Sequence, residues 1–146
     1  MYAYVDRSLD TLDEGCRFLV WSMRAWVTQI GHGTCPARTL GPAFARWKLI
    51  GALQPFHRMM LVLNRDGAET LHFAPLPCPR VSEDEAVLIG LVRQMHEAGP
   101  STARDTIALI VTEDGIGDML QAVSQLAAAM AITGVFPGAS VAPREG

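Results

Sequence analysis

The chain has 146 residues, of which 49% are hydrophobic and 18% are charged. This length suits one domain that buries a core without metals or disulfides. The net charge of −3 argues against a dedicated nucleic-acid-binding protein, and no stretch reaches the roughly 18 apolar residues that cross a membrane. The three cysteines follow no secreted disulfide pattern and the first residues do not form a signal peptide, so we expect a cytoplasmic protein with reduced thiols.

The charged residues are few and unevenly distributed. Their share lies below the usual value of about 25%, and a surface short of charge often covers itself with another subunit, so we expect a homodimer. Residues 1–73 carry a net charge of +2 and residues 74–146 a net charge of −5. Pairing of arginines with carboxylates, between the two halves or across a dimer, explains this distribution. A bound anionic ligand is the alternative explanation.

Apolar residues near the N-terminus recur at alternating intervals of four and three, which places them on one stripe of an α-helix. They are Val5, Leu9, Leu12, Cys16, Leu19, Met23, Trp26 and Ile30. Asp6 or Ser8 is expected to cap the start, and Gly31 to end the helix. The pattern therefore predicts one long amphipathic helix from Val5 to Ile30, against which the remaining elements pack.

The middle of the chain allows two interpretations. A second helix is expected to open around Thr39 to Pro42, with Pro42 in its first turn. Residues 55–64 fit either a third helix or part of a β-hairpin over residues 59–73, because Asp66-Gly67 between apolar runs is a hairpin signal. We favour the helix. Three prolines between Ala74 and Arg80 predict an extended linker.

The second half begins with a strong local signal. Ser82, followed by Glu85 ahead of an apolar run, is the signature of a capping box and predicts a helix that ends at Gly99-Pro100. The apolar block at residues 106–112 is compatible with a buried strand. We predict a helix there because no partner strands for a parallel sheet are evident. The last helix is expected from Gly115 to Thr133.

These elements predict an all-α protein, a compact bundle of about six helices organised on the long N-terminal helix. The helical domain is expected to cover residues 1–138, followed by a flexible tail at residues 139–146. An α+β fold with a hairpin at residues 59–73 is the alternative.

One side of the first helix combines an aromatic with two basic residues. Trp21 lies off the main apolar stripe, with Arg17 and Arg24 beside it. Tryptophan and arginine are both enriched at protein interfaces. We therefore expect Arg17, Trp21 and Arg24 to form a contact surface of an interaction or regulatory module, which binds a second copy or another protein. A hydrophobic pocket lined by the tryptophans is the alternative.

A different class of function would depend on histidines and cysteines in two loops. His32 with Cys35, and His72 with Cys78, offer the imidazole and thiolate groups that zinc prefers. No CxxC or HExxH motif strengthens this pattern. A Cys–His nucleophile pair could also be drawn from these residues. The alternative function is therefore a metal- or thiol-dependent enzyme.

Four further stretches share one resemblance: Trp26-Val27, Gly33-Thr34-Cys35-Pro36, Pro42-Ala43-Phe44 and Cys78-Pro79-Arg80-Val81-Ser82-Glu83-Asp84-Glu85. With them, most of residues 20–98 resembles an uncharacterised family of small helical bacterial proteins. It implies a small helical fold. It implies no activity, cofactor or catalytic residue.

Overall fold

A computed structural model describes residues 6–67, 71–135 and 137, and within these residues it contains six α-helices and no strand. The helices are α1 (Glu14–Gly31), α2 (Pro36–Arg46), α3 (Ile50–Asp66), α4 (Glu83–Ala98), α5 (Pro100–Ile110) and α6 (Ile116–Thr133). The predicted all-α bundle is confirmed. The alternatives with strands at residues 59–73 and 106–112 are wrong, because α3 and α5 occupy most of these segments. The predicted tail at residues 139–146 lies outside the described residues.

The first helix is shorter than the apolar pattern predicts. It begins at Glu14, because the side chain of Asp13 accepts a hydrogen bond from the backbone N–H of Cys16 at 2.8 Å and caps the helix there. The predicted caps at Asp6 and Ser8 are therefore wrong. The predicted first residue, Val5, lies outside the described residues.

The apolar stripe crosses this break without interruption. Residues Leu9–Thr11 form a short 3-10 turn, and Leu12 then adopts an extended conformation while remaining 7% exposed. Leu12 thus faces the core from non-helical backbone. Hydrophobic spacing alone could not distinguish this arrangement from a continuous helix.

Two helices contain a proline in their interior. Helix α2 begins at Pro36, so Pro42 lies within the helix and not in its first turn as predicted. Helix α3 includes Pro55 and begins at Ile50, which confirms the predicted helix at residues 55–64 and extends it. Each internal proline removes one backbone hydrogen bond.

Helix α6 packs against α3, α4 and α5, and α1 packs against α2 and α4. At the junction between α3 and the turn before α6, the backbone of Gly115 lies against Asp66. A Cβ atom at Gly115 would come within 2.8 Å of the Cβ of Asp66. The N–H of Thr112 also donates to the carbonyl of Asp66 at 2.8 Å. The absence of a side chain at residue 115 therefore sets how closely these segments approach.

The predicted capping box of α4 is confirmed. The Ser82 hydroxyl accepts from the N–H of Glu85 at 3.2 Å, and the Glu85 carboxylate accepts from the N–H of Ser82 at 2.9 Å. Glu85 is fully buried and also forms a bidentate ion pair with Arg24 of α1, at distances of 2.8 and 2.9 Å. One pair therefore ties α1 to the start of α4, as expected for pairing between the two halves of the chain.

The same arginine holds the proline-rich linker, which contains no helix or strand, as predicted. The Arg24 guanidinium donates to the carbonyls of Cys78 and Arg80, both at 2.7 Å, and to the carbonyl of Leu76 at 3.4 Å. Prolines have no N–H to donate, so this segment supplies few backbone donors for its own carbonyls. The side chain of Arg24 satisfies them instead.

Candidate binding pocket between α1 and α2

The predicted contact surface is only partly formed. Arg17 is exposed on α1, and Trp21 beside it is 37% exposed. Arg24 is 1% exposed and lies within the ion pair and linker contacts described above. Arg24 is therefore not part of a contact surface. The helical position of Arg24 next to Trp21 did not reveal that its partner lies 61 residues further along the chain.

A cavity of about 350 Å³ opens where Arg17 and Trp21 meet the second helix. Its lining residues are Glu14, Arg17, Phe18, Trp21, Ala43, Arg46 and Trp47. We refer to this site as the α1–α2 pocket. Its volume lies at the lower end of the range of about 300–1,000 Å³ found for ligand pockets.

Two arginines stand at this pocket without partners. Neither the Arg17 nor the Arg46 guanidinium makes a hydrogen bond or ion pair within the part of the chain that the structure describes. Arg46 lies in the last turn of α2, where its positive charge also suits the negative end of the helix dipole. Arg24 differs from them, since its three nitrogens all donate hydrogen bonds. Arg17 and Arg46 are therefore the two cations of this pocket lining that are available to an external anion.

The aromatic walls of the pocket are anchored in the core. Trp47 and Trp21 are each 37% exposed. The ring centroid of Trp47 lies 5.6 Å from that of Phe18. Phe18 in turn contacts Phe44 at 4.7 Å, and Phe44 contacts Phe56 at 5.6 Å. Because Phe18, Phe44 and Phe56 are buried, the wall formed by Phe18 and Trp47 rests on a close-packed support.

A residue in the left-handed conformation follows Trp47 directly. Lys48 has a φ of +61°, a conformation that costs a non-glycine residue about 1–2 kcal/mol. The next residue, Leu49, is fully buried, and its N–H donates to the carbonyl of Phe44 at 2.7 Å. These contacts fix the backbone that follows Trp47 despite the strain at Lys48.

Trp21 and Trp47 line one pocket, as in the alternative interpretation of a pocket lined by the tryptophans, but the sequence did not predict that Arg46 joins Arg17 there. The only available signal was the repeated combination of arginine with tryptophan. The proximity of the two arginines depends on how α2 packs against α1, and the residues near each arginine in the sequence do not determine this packing.

The histidines and cysteines predicted as alternative metal ligands do not form such a site. Among the described residues there is no group of three or more His, Cys, Asp or Glu side chains that could hold a metal ion. His32, Cys35 and His72 are exposed, and His72 lies beside Asp84 with 3.9 Å between Nδ1 and Oδ2. Cys78 donates its thiol hydrogen to a backbone carbonyl of its own loop. The structure therefore does not gather three of these four residues into one metal-binding group.

Comparison of the chain with family models, with curated proteins and with solved structures gave no match. The resemblance to small helical bacterial proteins thus stays a prediction. Within the described residues, none of the helices combines the length and the apolar character needed to span a bilayer.

Proposed function

We propose that the protein is an interaction module that binds a partner protein through the α1–α2 pocket. The proposal is carried by one observation, the convergence on a single cavity of two partly exposed tryptophans and two arginines that have no partner among the described residues. Tryptophan and arginine are the residues most often found to dominate binding energy when they are truncated to alanine. Their placement around a concavity gives a partner side chain both an apolar surface and charged hydrogen-bond donors.

The chemistry of the lining favours binding over catalysis. The titratable side chains at the pocket are Glu14, Arg17 and Arg46, and the lining includes no His, Cys, Ser, Tyr or Lys. A nucleophile with an adjacent general base, the arrangement on which covalent catalysis depends, has no counterpart among these lining residues. The alternative of a metal- or thiol-dependent enzyme gains no support from this pocket.

We further propose that the module acts in the cytoplasm. Support comes from the three cysteines, Cys16, Cys35 and Cys78, all of which are free thiols in the structure, as is usual in a reducing compartment. The homodimer expected from the low charge content stays a proposal as well. Light scattering of the purified protein at micromolar concentration tests it directly, and a monomer there would contradict it.

The proposed function is tested by photo-crosslinking in the cells that produce the protein. A benzoylphenylalanine residue replaces Trp21 in one variant and the exposed Arg104 of α5 in a matched control. We expect a discrete adduct with another protein from position 21 and none from position 104. The identified partner is then purified and titrated, and Trp21→Ala or Trp47→Ala should each weaken binding by about 2 kcal/mol, roughly 30-fold.

Two results would contradict the proposal. One is the absence of an adduct at position 21, or equal adducts at both positions. The other is unchanged affinity in the Trp21→Ala and Trp47→Ala variants while circular dichroism confirms that they are folded.

A further inference from the structure

We infer that the partner presents an acidic segment from which one aromatic or large aliphatic side chain enters the α1–α2 pocket. This inference rests on the proposed function and specifies the chemistry of the partner. It commits to a peptide segment of another protein, and the shape and the charge of the pocket support it independently.

The shape of the pocket disfavours a symmetric contact with a second copy. In a two-fold dimer the same patch faces itself, so a dimer whose axis passes through the pocket would place the concavity of about 350 Å³ opposite an identical concavity. Neither copy would then fill the cavity of the other, and the exposed tryptophan surfaces would lack the close packing that interfaces require. A protruding side chain does fill such a cavity, because aromatic side chains bury about 150–250 Å² each.

The charge of the surroundings favours carboxylates. Residues 36–48, which include all of α2, contain three basic residues, Arg38, Arg46 and Lys48, and no acidic one. Arg46 is the one of these three that lines the cavity, Arg17 adds a second basic side chain from α1, and Glu14 is the single acidic residue of the lining. An unpaired guanidinium forms bidentate, charge-assisted hydrogen bonds with a carboxylate. The pocket therefore combines an apolar cavity with a basic rim.

The arrangement fits a peptide better than a nucleic acid. The whole chain carries a net charge of −3, which repels a polyanion at longer range. Glu14 at the rim adds local repulsion against densely charged phosphates. A short segment with a few carboxylates can engage Arg17 and Arg46 while its apolar side chain fills the cavity. Single-stranded nucleic acid is therefore an outcome of the test and not the proposal.

The test is a selection from a random dodecapeptide phage library on the immobilised full-length protein. We expect enriched peptides to carry Asp or Glu next to Trp, Phe or Leu. Synthetic copies are then titrated by fluorescence polarisation against wild type, the double variant Arg17→Gln/Arg46→Gln, and the control Arg104→Gln. Arg104 is exposed on α5 and does not line the pocket.

We expect binding to the double variant to be at least tenfold weaker and binding to Arg104→Gln to be unchanged. Replacing the peptide carboxylates with amides should cause the same loss on wild type and little further loss on the double variant. Affinity should also fall as salt is raised. The variants are checked for folding by circular dichroism before titration, and Arg17→Gln alone replaces the double variant if the latter is unfolded.

Four results would overturn the inference: a selection without enrichment, enriched peptides that lack acidic residues, equal affinities for the double variant and wild type, or tighter binding of an oligothymidylate probe than of any selected peptide. A dimer that Trp21→Ala dissociates would show instead that a second copy occupies the site. If position 21 crosslinks to a partner protein but no acidic peptide binds, the proposed interaction module is retained and only the inferred chemistry of the partner is wrong.

Discussion

The buried ion pair between Arg24 and Glu85 gives the sharpest prediction for stability. Replacing Arg24 with methionine keeps much of the volume of the side-chain stem and removes the guanidinium. Glu85 is then left as a fully buried carboxylate that still accepts from the N–H groups of Ala74 and Ser82. Three linker carbonyls lose their donor at the same time.

Breaking one side of a buried pair costs about 3–5 kcal/mol, a large part of the roughly 5–15 kcal/mol by which a typical protein is stable. For a chain near 150 residues, each kcal/mol lowers the Tm by roughly 2–4 °C. We therefore expect Arg24→Met to lower the Tm by roughly 10 °C. The matched control is Arg17→Met, which replaces an exposed arginine of the same helix that has no partner within the described part of the chain. It should change stability by about 0.5 kcal/mol or less.

A double variant separates the loss of the pair from the loss of side-chain packing. In Arg24→Met/Glu85→Gln the buried carboxylate becomes a neutral amide that can still accept from the N–H of Ser82. The double variant should therefore lose less stability than the two single variants lose in total, with a coupling free energy of about 1–3 kcal/mol. Urea unfolding followed by circular dichroism measures all three, and hydrogen exchange of the Ala74 amide reports on the linker.

The reasoning would be refuted if Arg24→Met cost no more than Arg17→Met. It would also be refuted if the effects of the two single substitutions were additive, because the ion pair would then contribute nothing beyond its separate parts.

Further predictions concern four single substitutions. Gly115→Ala should destabilise the protein by about 1–3 kcal/mol because its Cβ would clash with Asp66. Gly117→Ala in α6, where a Cβ would meet only open space, should stabilise it by about 0.5–1 kcal/mol. Urea unfolding measures both, and stability changes of the same sign would contradict the contact between Gly115 and Asp66. Lys48→Gly should raise stability by about 0.5–1 kcal/mol by relieving the left-handed conformation, and a lower Tm would count against that strain. Ser82→Ala should cost about 1 kcal/mol through loss of the helix cap, and an unchanged midpoint in urea would mean that the cap is redundant.

Local signals in the sequence predicted much of the fold. Ser82 and Glu85 lie three residues apart, and their reciprocal hydrogen bonds need no information from elsewhere in the chain. The prolines between Ala74 and Arg80 likewise exclude regular structure by themselves. Such features are encoded within a few residues, so a single sequence suffices to predict them.

The errors arose where tertiary packing overrides a periodic pattern. Leu12 continues the apolar stripe and is buried, but its backbone is extended and not helical. The stripe therefore predicted a helix that begins too early. Arg24 shares a helix with Arg17, but its burial depends on Glu85 in another helix. Arg46 joins the pocket through the packing of α2 on α1. None of these outcomes depends on sequence spacing alone.

The proline-rich linker has an unusual consequence for how the chain tolerates change in length. Surface connections generally accept insertions. Here, however, the carbonyls of Leu76, Cys78 and Arg80 meet one rigid planar group on α1, at fixed spacing along the linker. One residue inserted between Leu76 and Arg80 would move at least one of these carbonyl oxygens out of hydrogen-bonding distance of the guanidinium. This stretch, although it has the composition of a variable loop, is therefore as restricted in length as a helix of the core.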